Sequence, residues 1–238
     1  MQLLRSDSRQ DRSRERLISD SGQELPRERL IQHGPQVLTT AELLAIILGT
    51  GPRGDNVVNF TTQLLKHFGS LRALLSASPQ ELTQIRGLGI AKSSQIMALH
   101  ELAIRSLEEQ LRQNNVLNQS HLVKKYCARQ LGHHTIEYCH ALFLDKSYRL
   151  LHTEVVAKGT IDQASVYPRE IVKAALKHHA SHVILAHNHP SGSLSPSAAD
   201  INLTEHLKNA LSLVDIQLID HLIVAAGKAV SLAEMGHM

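Results

Sequence analysis

Aromatic residues are scarce in this chain of 238 residues, which has no Trp, three Phe and four Tyr. Its core must therefore be built mainly from Leu, Ile, Val and Ala, and aromatic platforms for stacking bases are not expected. Cysteine is scarce as well. Cys127 and Cys139 are spaced neither as a CxxC redox pair nor as part of a four-cysteine zinc framework, so both are predicted to be reduced thiols.

Long apolar runs and a strong net charge are also missing. The longest apolar run, residues 43–48, is far shorter than the ~18 residues that a membrane helix requires. Residues 1–19 mix Arg with Asp and Glu and lack the apolar segment of a signal peptide. We therefore expect a cytoplasmic protein with no membrane partner. The net charge of +3 is small, so any attraction for acidic partners must come from local patches.

The chain is predicted to begin with a mobile polar tail, residues 1–24, followed by an all-helical domain, residues 25–116. The tail alternates charges and carries too few apolar residues to offset the entropy cost of ordering. In the helical domain, apolar side chains recur at spacings of three and four, which is typical of packed helices. Helix starts are indicated by two capping boxes, Thr39 with Glu42 and Ser78 with Glu81.

Residues 117–238 have a different pattern and are predicted to form an α/β domain. Short aliphatic and β-branched runs alternate there with helical stretches, and a turn at residues 226–228 predicts a closing hairpin. A domain boundary is therefore expected near residue 116. The predicted strands are 141–144, 183–186, 217–219 and 222–225, and the predicted helices are 169–179 and 198–213.

A helix-hairpin-helix pattern, h-x-x-h-x-G-h-G, starts at Leu82 within the helical domain. Gly87 and Gly89 would allow a tight turn, and the open amides at the next helix start could hold a phosphate, with Lys92 adding positive charge. Two functions fit the pattern equally: contacts to DNA backbone phosphates through residues 40–95, or a turn that only connects packed helices. A weaker copy upstream consists of Leu44, Ile47, Gly49, Gly51 and Arg53.

Two histidines follow an apolar run that is predicted to be a strand. With 16 His in the chain, about one His-x-His pair arises by chance, so the pair is informative only in context. On a strand, His187 and His189 face the same side, ~6.6 Å apart, and both imidazoles can reach one ion. Asp200 lies in the first turn of a predicted helix that Ser197 caps.

Two imidazoles and one carboxylate suit Zn²⁺ and leave the fourth tetrahedral position to water, as in catalytic sites. The alternative is that both histidines merely end a strand, while Ser197 and Asp200 merely cap a helix.

The segment from His187 to Asp200, His-x-His-Pro-x6-Ser-x2-Asp, resembles the JAMM (MPN+) zinc metalloprotease motif. The second half of the chain resembles the RadC-like branch of that family, and the helical half resembles its N-terminal domain. The resemblance implies a cytidine-deaminase-like α/β sheet flanked by helices. It also implies one zinc ion held by His187, His189 and Asp200, with Ser197 as an oxyanion-stabilising donor. Other similar segments are residues 25–28, 43–48, 159–162, 167–170 and 220–221.

The resemblance further implies a general base, a Glu about fifty residues before the first ligand, at the entry to the first strand of the domain. Glu137 fits that position, and Glu154 and Glu170 are the alternatives. His221 either orients a zinc ligand or is a structural polar residue. The remaining histidines, among them His133, His134, His178 and His179, lack a ligand frame and are expected at the surface.

Three functions follow as hypotheses. The leading one is a zinc-dependent hydrolase of JAMM type that cleaves a peptide or isopeptide bond in a protein substrate. The second is a DNA-binding or DNA-repair protein, in which the helical hairpin targets DNA and the metal site is either a nuclease centre or structural. The third is an inactive MPN scaffold that mediates protein contacts.

Overall fold

The structure of the protein, a computed structural model, describes residues 24–159 and 166–238. The predicted mobile tail lies outside the described residues except for its last position, and so do residues 160–162, which carry part of the family resemblance. The chain divides into two compact units between Leu99 and His100. The division falls inside a long helix, whereas the sequence predicted a boundary near residue 116.

The N-terminal unit is helical, as predicted. Both predicted capping boxes are confirmed, because each cap hydroxyl accepts from the amide three residues on and each Glu reaches back to the cap amide. The helices are α1 (Pro26–His33), α2 (Thr40–Leu48), α3 (Val57–Phe68), α4 (Leu71–Leu75), α5 (Pro79–Gln84) and α6 (Ile90–Gln113), with a short 3₁₀ turn at Pro35–Val37. The core of this unit consists of Leu44, Leu48, Phe60, Leu64, Leu74, Leu82, Leu88 and Ile96.

The C-terminal unit contains a mixed five-stranded sheet. The strands are β1 (Tyr138–Leu144), β2 (Leu150–Lys158), β3 (His182–Asn188), β4 (Gln217–Ala225) and β5 (Lys228–Ser231). Their order is β2-β1-β3-β4-β5, and all neighbours are antiparallel except β3 and β4, which are parallel. The helices are α7 (Ser120–Leu131), α8 (Pro168–Lys177) and α9 (Ala198–Ser212), and a 3₁₀ turn at Val116–Gln119 precedes α7.

Helices pack on both faces of this sheet. One face, which includes Leu142 and Ile184, packs against α7 and the last turns of α6. The opposite face, which includes Val183 and Leu185, packs against α8 and α9. Successive side chains of a strand point to opposite faces, so His187 lies on the same face as Val183 and Leu185. The end of the fully buried strand β3 thus presents His187 toward the start of α9.

Two strands differ from the sequence prediction. β4 is continuous, although Asp220 and His221 interrupt its apolar pattern, because both polar side chains have hydrogen-bond partners within the unit. β2 was not predicted at all. It is an edge strand with half-exposed polar residues such as His152 and Glu154, so its apolar pattern is weak.

The predicted hairpin at residues 226–228 is confirmed, with Ala226 and Gly227 both at positive φ between β4 and β5. Cys127 and Cys139 are both free thiols, as predicted, and both are buried. In the part of the chain that the structure describes, no helix combines the length and the apolar character needed to cross a membrane.

Candidate metal centre

The carboxyl end of β3 carries the two predicted histidine ligands. His187 is 2% exposed, and its Nε2 atom lies 2.9 Å from Nε2 of His189. His189 is less buried and stands at the rim, where the strand gives way to the loop that leads to α9. The i, i+2 spacing on one strand therefore places both imidazoles against the same point, as the sequence predicted.

Asp200 reaches the same point from the first turn of α9. It is fully buried, with Oδ1 at 3.0 Å from Nε2 of His187 and Oδ2 at 3.4 Å from Nε2 of His189. One ligand atom from each of the three residues lies within 4.8 Å of the others. The structure thus brings together the three residues that the resemblance implied as zinc ligands.

A chain of hydrogen bonds determines which nitrogen of His187 carries a proton. The hydroxyl of Thr204 donates to the backbone carbonyl of Asp200 at 2.6 Å, so it accepts from Nδ1–H of His221, also at 2.6 Å. Nε2 of His221 then carries a lone pair and accepts from Nδ1–H of His187 at 2.8 Å. Nε2 of His187 is left with its lone pair directed at His189 and Asp200.

The proton position on His189 is determined in the same way. Its Nδ1 atom lies 2.9 Å from the backbone carbonyl of Ser193, which can only accept, so Nδ1 donates and Nε2 keeps a lone pair. Burial is the main cause that lowers the pKa of His221 to about 3, so this imidazole stays neutral as the chain of hydrogen bonds requires.

Two nitrogen lone pairs and a carboxylate therefore converge with no donor between them, which is the environment of a cation. Oδ1 of Asp200 is a buried oxygen without a hydrogen-bond partner, as expected of an atom that ligates a metal. Burial alone would raise the pKa of Asp200, but the two imidazoles and the Ser197 amide that face its oxygens hold it well below its ordinary value. The carboxylate is therefore ionised, and the donor set of two imidazoles and one carboxylate fits Zn²⁺.

Ser197 occupies the N-cap of α9 and also contacts the ligand carboxylate. Its hydroxyl donates to Oδ2 of Asp200 at 2.8 Å and accepts from the Asp200 amide at 3.2 Å. Its own amide donates to the same Oδ2 at 2.7 Å. In this arrangement Ser197 both caps the helix and fixes the carboxylate, and its hydroxyl must turn away from Asp200 before it can donate to a substrate oxygen.

Glu137 stands immediately before β1, beside the metal centre. The antiparallel register ends with Cys139 paired with His187, and Glu137 lies two residues before Cys139. The negative charge of Glu137 is among the causes that raise the pKa of His189, after the interaction with Asp200, which is the largest. The Glu137 carbonyl accepts from the amide of Gly159 at 2.9 Å, which ties this segment to the end of β2.

The two alternative general bases lie elsewhere. Glu154 is on β2, paired with Ala141, and its carboxylate is 3.3 Å from Nε2 of His178. Glu170 is in the first turn of α8, more than half exposed, and forms an ion pair with Arg169 at 3.4 Å. Of the three candidates, Glu137 is the one whose charge acts on a ligand, His189.

Asn188 has a structural role that the sequence did not indicate. Its side chain points away from the two histidines, as strand alternation predicted, and is 2% exposed. Oδ1 accepts from the amide of Tyr138 at 2.8 Å, and Nδ2 donates to the carbonyls of Ile136 at 3.0 Å and His134 at 3.3 Å. Asn188 therefore holds the segment that carries Glu137 against the end of β3.

One expectation about the remaining histidines is wrong. His178 does lie among possible metal ligands. One nitrogen of its ring, one nitrogen of the His152 ring and one carboxylate oxygen of Glu154 lie within 4.8 Å of one another. The sequence gave no sign of this cluster because His178 is far from the other two in sequence and β2 was not recognised as a strand. His134 and His133 are in ring contact with each other, and His134 also stacks on Tyr138 at 3.9 Å between ring centroids.

The residues of the predicted helical hairpin lie between α5 and α6. Gly87 has φ +96°, and a Cβ atom there would come within 2.5 Å of Pro52, so both its conformation and its surroundings require glycine. Gly89 directly precedes α6, and its carbonyl accepts from the Ser93 amide at 3.0 Å. Nζ of Lys92 lies 5.6 Å from the centre of the Phe60 ring.

The weaker upstream copy differs from this arrangement. Gly49 ends α2 at φ +75°, but the next helix begins only at Val57, several residues after Gly51. Of the two copies of the pattern, the one at Gly87 therefore has the shorter connection between its helices.

Two known protein families match this chain. Residues 117–237 match the family described as RadC-like JAB domain, which is typically metallohydrolase-like, and residues 19–94 match the family described as UPF0758 N-terminal. A mixed sheet of five strands with helices and a His, His, Asp group at the end of β3 is consistent with a JAB domain.

Similar proteins cover nearly the whole chain. A UPF0758 protein of Janthinobacterium sp. is 51% identical over 229 residues, which is 96% of this chain and 96% of that protein. One of Bordetella parapertussis is 50% identical over 205 residues, covering 86% and 91%, and one of Vibrio parahaemolyticus is 48% identical over 203 residues, covering 85% and 91%. The chain therefore belongs to the RadC-like UPF0758 family.

Proposed function

We propose that this protein is a zinc-dependent hydrolase of JAMM type that cleaves a peptide or isopeptide bond. The observation that carries the proposal is the convergence of two imidazole lone pairs and the unpartnered Oδ1 of Asp200 on one point. Three protein ligands leave one tetrahedral position open, which distinguishes catalytic zinc sites from structural ones, whose four positions are filled by the protein.

The residues around the centre have distinct tasks in this mechanism. A zinc ion bound there would supply a water whose pKa is lowered toward ~7 and would polarise the scissile carbonyl. Glu137, which is close enough for its charge to act on His189, would take a proton from the attacking water and deliver it to the leaving amine. Ser197 would turn its hydroxyl toward the developing oxyanion, and His221 would keep His187 in the tautomer that leaves Nε2 open.

An amide is a better substrate for this centre than a phosphodiester. Nucleases with two metal ions hold them ~3.5–4 Å apart, so that both the attacking and the leaving oxygen are stabilised. Within the described residues, the only other group that could hold a metal is His152, Glu154 and His178. Two of those residues lie on β2, and β1 separates β2 from β3, so the second group is not adjacent to the first.

The test of this proposal is the metal content and the hydrolytic activity of the purified full chain. We expect His187→Gln and Asp200→Asn to lose about one zinc ion per chain relative to the wild type. The matched control is His206→Gln, because His206 is an exposed histidine on α9 outside the site. A panel of peptides and isopeptides should be cleaved by the wild type, and a chelator should abolish cleavage. Zinc retained in full by both site variants would refute the centre.

Two further outcomes identify the alternative functions. Cleavage of single- or double-stranded DNA instead of amides, again sensitive to chelator, would indicate a nuclease. Zinc binding without hydrolysis of any substrate in the panel would indicate an MPN scaffold.

A second candidate function, DNA binding by the N-terminal unit, is favoured by the turn at Gly87. There the amides at the start of α6 follow directly on Gly89, and a groove of about 530 Å³ beside the turn is lined in part by Arg53, Arg86 and Phe60. Helix N-termini and Arg side chains bind phosphates without reading sequence. We expect the full chain to bind duplex DNA at low salt and to release it as salt rises, and Arg86→Gln to weaken binding. Absence of binding at low salt would exclude this function.

A further inference from the structure

A second group of metal-ligating side chains lies on the edge strand of the sheet. His152 and Glu154 are two residues apart on β2, so both project from the same face of that strand. The register pairs them with Phe143 and Ala141 of β1, which belong to the core on the α8–α9 face. His178, at the C-cap of α8, meets them on this face.

The three side chains are in direct contact. Nε2 of His178 lies 3.3 Å from Oε2 of Glu154, and its ring stacks on that of His152 with centroids 4.1 Å apart and planes at 24°. On its other side the His178 ring lies against Phe143, 5.2 Å between centroids. The His178 side chain is 17% exposed, whereas that of Glu154 is 41% exposed. The group is therefore packed on the protein at His178 and accessible to solvent at Glu154.

The chemistry of this group is that of a metal site. Two imidazoles and a carboxylate form the same donor set as the centre at β3, and borderline cations such as Zn²⁺ prefer it. One nitrogen of each ring and a carboxylate oxygen of Glu154 lie within 4.8 Å of one another, and His152 is exposed.

Positive charge near the group is partly compensated. Arg112 and Lys177 are positive charges close enough to act on His152, and they would also repel a bound cation. The Arg112 guanidinium is paired with Glu108 at 2.6 Å, which offsets part of its charge, and it also donates to the carbonyl of Leu151. Glu154 contributes the negative charge that the site itself needs.

We propose that His152, Glu154 and His178 bind a second divalent transition-metal ion, distinct from the ion at His187, His189 and Asp200. Adjacent strands are ~4.8 Å apart, so β2 lies ~9.6 Å from β3 across β1. That separation is too large for the two ions to act on one substrate bond. The second ion joins the edge strand β2 to the end of α8 and leaves coordination positions open to solvent.

The experiment compares Zn²⁺ binding by metal-free full-length variants, titrated against a chromophoric chelator. His187→Gln removes the first site. His178→Gln or, at a more exposed position, Glu154→Gln removes the second site independently. The wild type and the control His206→Gln should bind about two ions per chain, each single-site variant about one, and the double variant His187→Gln/His178→Gln essentially none. Co²⁺ added to His187→Gln should give an absorption band that Glu154→Gln removes.

Two results would overturn the proposal. One is that His178→Gln and Glu154→Gln bind as many ions as His206→Gln. The other is that His187→Gln binds no ion and shows no Co²⁺ band. Loss of one ion in His187→Gln reports on the first site alone, so a failure of the proposed hydrolase centre and a failure of this second site give different patterns.

Discussion

At the level of single side chains, the ligand geometry depends on a threonine that no sequence pattern marks. Thr204 is 1% exposed and connects His221 to the carbonyl of Asp200. Because it accepts from His221 and donates to Asp200, it determines the proton positions on His221 and then on His187. Its effect on the metal centre is exerted entirely through these hydrogen bonds.

Replacing this hydroxyl should weaken zinc binding. Thr204→Val keeps the shape but leaves Nδ1–H of His221 without its acceptor in the core. We expect zinc affinity to fall ~10–100-fold and the free energy of unfolding to fall by ~1–3 kcal/mol, measured by competition with a chelator and by urea unfolding. The control is Thr62→Val, at a threonine whose hydroxyl bonds only to the helix carbonyl four residues earlier. Equal zinc affinity in both variants would contradict the role of Thr204.

The identity of the general base can be decided by three matched substitutions. Glu137→Gln should lower kcat for amide hydrolysis by ~10²–10⁴ while zinc content is unchanged, since the residue is assigned to proton transfer and not to metal binding. Glu170→Gln and Glu154→Gln should keep kcat within a few-fold. A large loss of kcat in either of these two, with Glu137→Gln fully active, would reverse the assignment.

At the level of secondary-structure elements, the centre forms where three chain segments meet: the end of β3, the start of α9 and the entry to β1. Asn188 joins the first to the third through one accepted and two donated hydrogen bonds. The segment that carries Glu137 thus has its position determined by a side chain of the ligand strand.

Asn188→Asp tests this connection. The carboxylate can still accept from Tyr138, but it faces the carbonyls of Ile136 and His134 without a proton to donate. We expect kcat to fall with little change in zinc content, because the substitution displaces Glu137 and spares the three ligands. Kinetics and metal analysis of the same preparation provide the measurement. Proportional loss of zinc and kcat would instead mean that Asn188 acts on β3 itself.

A second element-level prediction concerns the cap of α2. The hydrogen bond from the Thr39 amide to Glu42, together with the Thr39 hydroxyl and Arg29, holds the pKa of Glu42 below its ordinary value despite an opposing effect of burial. A carboxylate with a lowered pKa in the folded state stabilises the protein above its unfolded pKa of ~4.3 and loses that contribution as pH falls.

Glu42→Gln should therefore lower the thermal midpoint at pH 7 and have a smaller effect at pH 3, where the wild-type carboxylate is increasingly protonated. Thermal unfolding at both pH values is the measurement, with Glu101→Gln as a control in an exposed ion pair on α6. A midpoint difference that is the same at both pH values would show that the charge of Glu42 does not contribute.

The sequence predicted the local features of these elements well and the non-local ones poorly. Capping boxes, the turn at residues 226–228 and the approach of His187, His189 and Asp200 depend on spacing along a single strand, loop or helix. The edge strand β2 was missed because its solvent-facing residues are polar, and the position of His178 depends on how α8 packs on the sheet. No local pattern reports such a contact.

At the level of the whole molecule, this RadC-like UPF0758 protein carries in its C-terminal unit a His, His, Asp group that could hold a metal ion. The proposed function requires that this group at the end of β3 bind zinc through two imidazoles and a carboxylate. Cys139 is paired with His187 in the register, but its sulfur is not among the ligand atoms that converge on the site.

The decisive measurement is zinc K-edge X-ray absorption of the His178→Gln protein, because this variant lacks the second proposed site and keeps the first. We expect a first shell of nitrogen and oxygen atoms at ~2.0–2.2 Å, with outer-shell scattering from two imidazole rings. A shell that contains sulfur at ~2.3 Å, or a shell without imidazole scattering, would contradict it.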